Sequence, residues 1–413
     1  MTMTNNPRLR SGGTPPIVAD VVVIGGGVNG LSTAYQLAKR KAGRVVVLEK
    51  GEIGSGATGK SGALVRQHYT NVPEALLTLH SIGMFTRWAD EIGPGDPKFE
   101  NTGFLRVVRP EDEPNLRANV ESMRAAGVNT WVIPAEDLEE VEPLLNTEDI
   151  SAAAFEPDAG YADPNATAYA FAEAAADQGA LIYTHTRATG VEVVRDRVVA
   201  VTTERGRIKT GKVLVAAGPW ADALLVPLGI DLGMTPYKSQ VAIFRWPMSI
   251  DQKRKHRVVI DSVHNSWLRP EGESSTLIGV EFADRKADPD DAPSFPPNDY
   301  VETARAALGK RFPVFKNATM RGGWTGVYMM SADAHPIMGA WPAVEGLYLM
   351  TGDSGSSFKT APATGVCLTE LMLDGESRLV DLTPFRPTRF AEGKPWVDEL
   401  RYGLADVELS ISR

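Results

Sequence analysis

Between Asp20 and Glu49 the chain reads DVVVIGGGVNGLSTAYQLAKRKAGRVVVLE. Asp20 to Ile24 is a short, mainly β-branched apolar run, and Val45 to Leu48 is a second. Parallel strands covered on both faces show such continuous apolar runs rather than alternation. Between them, Leu31 to Arg40 carries Leu31, Ala34, Tyr35, Leu37 and Ala38 at helical spacing. The joining turn, Gly25-Gly26-Gly27-Val28-Asn29-Gly30, fits G-x-G-x-x-G at Gly25, Gly27 and Gly30. In such a turn the first glycine permits the tight reversal and the second admits a pyrophosphate close to the backbone. The third lets helix pack on strand, while the helix N-terminus faces the phosphates. Glu49, 19 residues after Gly30 and followed by Lys50, ends the second strand where a carboxylate accepts from a ribose 2′-hydroxyl. The stretch therefore predicts a βαβ unit holding a dinucleotide, and FAD and NAD both use that unit.

Outward from this unit, Gly51, Gly54, Gly56, Gly59 and Gly62 crowd a loop that also holds Ser61, as expected of backbone lying against something bulky. Pro73 to Glu91 and Pro110 to Ala126 read as helices, and Leu105 to Val108 as a strand. Asp163-Pro164 places an N-cap acid before a proline at the first helical position, opening an Ala-rich helix to about Gln178. Short β segments follow at Leu181 to Thr184, Val191 to Val194, Val198 to Thr203 and Val213 to Ala216, the last running into Ala217, Gly218 and Trp220. Residues 225–312 are strand-rich, Leu347 to Thr351 is the last strand, and Thr360 to Leu373 is the last long helix. These segments give a flexible leader at 1–17 and a discontinuous nucleotide-binding domain at 18–84, 151–224 and 323–390. A substrate domain occupies 85–150 and 225–322, with a C-terminal tail at 391–413.

The 413 residues suffice for two domains. With 43 Lys and Arg against 52 Asp and Glu, the net charge of −9 disfavours nucleic acid and anionic lipid. The runs Lys39-Arg40-Lys41 and Lys253-Arg254-Lys255-His256-Arg257 read as solvated surface. A single cysteine, Cys367, leaves no internal disulfide or Cys-x-x-Cys pair, and no metal site is expected. No apolar run has the length of a membrane span, so a soluble cytoplasmic protein is expected.

Later segments separate the two dinucleotides. Val213 to Gly218 and the stretch Gly352-Asp353-Ser354-Gly355-Ser356-Ser357-Phe358-Lys359, followed by Ala361-Pro362 and Gly365, resemble the pieces that close an FAD site in the D-amino-acid oxidase and sarcosine oxidase superfamily. The resemblance covers about Val18 to Phe390. It implies a Rossmann-like FAD-binding domain of the glutathione-reductase type, α/β in class, with an inserted α+β substrate-binding domain carrying a mainly antiparallel sheet. It also implies that Lys359 helps bind a substrate carboxylate, with Arg66 of Ser61-Gly62-Ala63-Leu64-Val65-Arg66 as its partner. A guanidinium fork and an ammonium converging on one carboxylate form a charge-assisted clamp.

Several positions depart from the superfamily. Gly326 stands where monomeric sarcosine oxidases attach FAD through a cysteine, and Cys367 lies in the last helix, so noncovalent FAD is expected. His68 is the histidine near the glycine loop, a position at which some relatives attach flavin. Tyr328 replaces the arginine of glycine oxidase, which favours the sarcosine branch. The active-site histidine of that branch falls on Glu281, available for a cationic or hydroxyl group of substrate, and its oxygen-activating lysine falls near Leu277. His335 contributes to the flavin surroundings, while Trp267, Trp324 and Tyr328 wall the pocket. The implied reaction oxidises the C–N bond of a small secondary or N-alkylated amino acid to an imine. Hydride passes to flavin N5, the imine is hydrolysed, and O2 or another acceptor reoxidises the flavin. A flavin dehydrogenase of 2-hydroxy acids, needing a base such as His68 or His264, and a catalytically silent flavin-binding subunit are the alternatives.

Overall fold

The computed structural model of the chain describes residues 6–251, 255–282, 285–398 and 400. Seven strands form one sheet, in the order Leu9–Ser11, Leu181–Thr184, Val45–Leu48, Val21–Ile24, Val213–Val215, Leu347–Thr351 and Ile337–Ala340. All neighbours are parallel except the last pair. Along one strand Val21 and Val23 face a core that includes Leu31 and Tyr35 of helix Val28–Lys39, Phe171 of helix Pro164–Asp177, and Leu368 of helix Ala361–Asp374. Val22 and Ile24 face the opposite core, where Val191, Val198, Val201 and Ile208 of a three-stranded meander cover the sheet. Both faces are dry, which is why these strands are apolar throughout.

Glycine makes the first turn possible. Gly25 has φ of +120°, and a Cβ there would lie 2.2 Å from the carbonyl oxygen of Ala216 on the next strand. A Cβ on Gly30 would stand 2.2 Å from the carbonyl oxygen of Gly25. The helix begins at Val28, inside the glycine hexapeptide, rather than at Leu31.

A second sheet has eight strands, ordered Met320–Met330, Thr235–Arg245, Ser275–Val280, Ser266–Glu271, Val258–Asp261, Phe104–Val108, Ala152–Glu156 and Trp131–Pro134. It is antiparallel but for the pairing of Val258–Asp261 with Phe104–Val108. Helix Asn298–Arg311 buries Tyr300, Val301, Ala304 and Leu308 in a core shared with this sheet.

This arrangement corrects four sequence expectations. Leu9–Ser11 pairs with Leu181–Thr184, so the segment expected as a flexible leader supplies an edge strand. Ala152–Glu156, expected within 151–224, belongs to the eight-stranded sheet. So does Met320–Met330, which crosses the boundary expected at 323. Of the tail, Trp396 stacks on His335 at 4.2 Å between ring centroids, whereas 401–413 lie outside the described residues. The expected cap at Asp163 is present, its side chain accepting from the Ala166 amide at 2.7 Å. The second basic run is not a solvated face. His256 is buried against Thr276 at 2.8 Å and Lys255 pairs with Glu100, while 252–254 lie outside the described residues.

Candidate active site

Two cavities meet along the C-terminal edge of the parallel sheet, sharing Val28, Asn29, Ala57, Thr58 and Asp353 in their walls. The larger, about 360 Å³, is lined by glycine-rich turns and by the residues Lys50, Arg187, Trp220 and Asp290. Gly25, Gly27, Glu49 and Lys50 come from the first βαβ unit, Ala217, Gly218 and Trp220 from the turn after Val213–Val215, and Gly352 from the late loop. Glu49 is held by two amides, Gly26 N–H to Oε2 and Gly51 N–H to Oε1, both 2.7 Å. The Val28 amide donates to the Thr58 hydroxyl at 3.1 Å. At the outer end, the Lys50 ammonium sits 3.3 Å over the Trp220 ring, and Asp290 of the inserted segment accepts from both Lys50 (3.1 Å) and the Trp220 indole (2.8 Å).

The smaller cavity, about 120 Å³, holds the charged groups. Ser61, Gly62, Tyr328, Gly355, Ser356 and Phe358 line it together with Arg66 and Lys359. Arg66 is 2% exposed and Lys359 5%. Their heads flank one ring: the Arg66 guanidinium lies 5.0 Å and the Lys359 ammonium 4.6 Å from the Tyr69 centroid. Arg66 donates to the His68 carbonyl, while the Lys359 ammonium and the Tyr69 hydroxyl both donate to the Ser356 carbonyl at 2.8 Å. Burial, then the Arg66 charge, holds the Lys359 ammonium well below its ordinary range. Burial also lifts Asp353 to about 6, against backbone amides and Lys359, and Glu156 to about 7, against the Gln67 amide, Arg66 and Lys359. Ser357 is buried behind the loop and donates to the Asp353 carbonyl, and Gly30 lies beneath the turn.

Three expected groups lie elsewhere. The His68 ring is fully buried and absent from both cavity walls, with Nδ1 4.0 Å from Glu156 and Nε2 3.5 Å from the Asn119 amide. Burial, then Arg106 and Arg66, hold it well below the usual imidazole range, so it is a neutral ring behind the clamp. Glu281 is ion-paired with Arg285 four residues on, and it too is outside the cavity walls. His335 bridges Glu74 (2.8 Å) and Asp398 (3.2 Å), and despite burial these carboxylates raise it to about 9. Leu277 is buried core. Two residues of the site had no sequence signal of their own. Tyr69 adjoins His68 in a polar stretch, and Glu156 ends an alanine-rich strand.

The family pattern described as FAD dependent oxidoreductase (DAO) matches residues 20–371. The chain belongs to the DAO family. This DAO-family protein is 27% identical over 392 residues to the sarcosine oxidase subunit beta of Rhodobacter capsulatus, covering 92% of this chain and 90% of that one. It is 27% identical to the glycine oxidase of Geobacillus kaustophilus over 378 residues, 90% of this chain and 97% of that one. The crystal structure of L-proline dehydrogenase from P. horikoshii superposes with a TM-score of 0.85 at 28% identity, over 92% of this chain and all of that one.

The larger cavity fits FAD. A Cβ on Gly26 would meet the Glu49 side chain at 2.8 Å, so the cradle exists only with glycine. The buried Asn29 Oδ1, in the wall of both cavities, has no hydrogen-bond partner among the described residues and is available to a ligand.

Proposed function

We propose that this flavoprotein oxidises the C–N bond of a small amino acid carrying a secondary or N-alkylated amine. The observation that carries the reading is the convergence of Arg66 and Lys359 on Tyr69 in a small cavity opening into the larger one. In this reading Gly25, Gly27, Gly30, Val28, Asn29 and Glu49 hold the adenosine and pyrophosphate of FAD, and the parallel-sheet layer is the FAD-binding domain. FAD, when bound, supplies the two-electron oxidant.

Arg66 and Lys359 anchor the substrate carboxylate, which fixes where the amine and its α C–H stand. Burial of both cations strengthens that attraction relative to water. Tyr328 and Trp267 close the cavity, leaving room for a compact side chain. The amine must be neutral before its C–N bond is oxidised, because an ammonium has no lone pair to support the developing iminium. The rate therefore rises with pH as bound amine deprotonates, and water hydrolyses the imine. Noncovalent FAD is favoured at Gly326, where a Cβ would meet the Lys60 Cβ at 2.4 Å and a cysteine would displace that side chain. Relatives named for sarcosine and glycine oxidation, and a structural neighbour named for proline, a secondary amine, support the substrate class.

Anaerobic mixing of the FAD-loaded protein with sarcosine, N-alkylglycines, iminodiacetate, proline, D-amino acids and D-2-hydroxyglutarate tests the reading. A secondary amino acid bleaches the flavin fastest. Bleaching by the hydroxy acid alone, or by none of the amines, rejects it. Peroxide release on readmission of air distinguishes oxygen from another acceptor.

A further inference from the structure

Behind the clamp lies one carboxylate that the proposed chemistry leaves unused. Glu156 ends the strand Ala152–Glu156 opposite Phe104 and is fully buried. Its Oε2 accepts from the Gln67 amide at 2.7 Å, whereas Oε1 has no hydrogen-bond partner among the described residues. Arg66 and Lys359 attract a negative charge on it, and Asp158 repels one. The His68 ring, 4.0 Å away, is kept neutral first by its burial, then by Arg106 of the neighbouring strand and by Arg66. Glu74 and Asp353 act on Lys359 from two further elements.

We propose that Glu156 takes up a proton when a carboxylate docks between Arg66 and Lys359, so that it is the positioning residue that sets the charge of the clamp. The inference rests on the clamp reading above. Before docking, ionised Glu156 is a countercharge to the two cations. Asp353, in the same cavity wall, is a second countercharge, so an arriving carboxylate is a third anion against two cations, and leaving all three ionised in a buried site is costly. Protonation of Glu156 relieves the repulsion: ligand carboxylate, Glu156 carboxylate and one proton give bound carboxylate and Glu156 carboxylic acid. Free Glu156 titrates near 7, so this proton comes from solvent at neutral pH. Docking raises the proton affinity of Glu156. Affinity for the ligand is therefore fully present below the free value, and it weakens by up to about tenfold per pH unit above it.

The probe is methoxyacetate, which carries a carboxylate and no titratable nitrogen, added to the FAD-loaded protein. Calorimetric titrations in buffers of different ionisation enthalpy read the protons taken up. The wild type is expected to take up most of one proton slightly above neutral pH, and Glu156→Gln almost none, with an affinity that no longer falls as pH rises. Equal uptake by Glu156→Gln overturns the proposal, since the proton then goes to Lys359 or Asp353. Binding by the wild type without uptake overturns this inference alone. No binding heat and no change in flavin absorbance overturns the clamp, and this inference with it. Infrared difference spectra with 13C-labelled methoxyacetate separate the protein's carboxyl band from the ligand's. A new protonated carboxyl band in the wild type that Glu156→Gln loses supports the proposal; its absence from the wild type, or its persistence in Glu156→Gln with Asp353 as the acceptor, overturns it.

Discussion

The two ends of the crevice are built from different materials. At the larger cavity the turn that shapes it is set by backbone, by glycines that leave no room for a Cβ and amides that hold Glu49. The smaller is governed by side chains: Arg66 and Lys359 in its wall, and Tyr69 and Glu156 behind it, come from three separated stretches of chain. A backbone site is insensitive to pH and intolerant of added volume. A charged side-chain site tolerates changes of volume better, but it depends on protonation and on every partner in its shell.

The largest effect should come from the backbone end. Gly25→Val places a branched side chain on the Ala216 carbonyl at a φ suited to glycine, and we expect purified protein without bound flavin, read from the visible absorbance per polypeptide. Flavin retained at the wild-type ratio would break the contrast. Next come the cations. Arg66→Met or Lys359→Met should keep the flavin and lower kcat/KM by about 30- to 5,000-fold, the roughly 2–5 kcal/mol of a truncated buried charge pair. Arg66→Lys should restore little, because the fork geometry is lost.

A third effect concerns stability. His335 is raised in the folded state to about 9 by Glu74 and Asp398. The unfolded value is near 6.5, so its contribution is fully present below that pH and is lost as pH rises through about 9. Denaturant titrations should show up to about 3 kcal/mol falling away across that interval. In His335→Gln the slope should flatten. The smallest effect is Tyr69→Phe, which removes the hydroxyl bonded to Ser356 but keeps the ring beside both cations, costing about 1 kcal/mol of stability and little activity. A loss as large as that of the cations would mean that the hydroxyl itself handles substrate.

The same contrast explains what the sequence discloses. The strands Val21–Ile24 and Val45–Leu48, the turn between them and Glu49 are legible because one continuous stretch encodes them. The resemblance pointed to Arg66 and Lys359. Ala152–Glu156 was missed as a strand of the second sheet because alanine has little strand preference and leaves only neighbouring strands to fix it. Met320–Met330 is obscured by Gly322, Gly323 and Gly326, of which Gly323 and Gly326 are needed where a Cβ would strike the Val241 carbonyl or Lys60. The neutral state of His68 and the proximity of Glu156 to the clamp depend on contacts between distant segments. No local pattern carries those.

The most direct measurement is a crystal structure of the FAD-loaded protein with methoxyacetate bound. The account predicts the carboxylate held by the Arg66 guanidinium and the Lys359 ammonium at about 2.7–2.9 Å, over Tyr69 and facing the flavin ring. A ligand bound elsewhere, with both cations turned away from that ring, would contradict it.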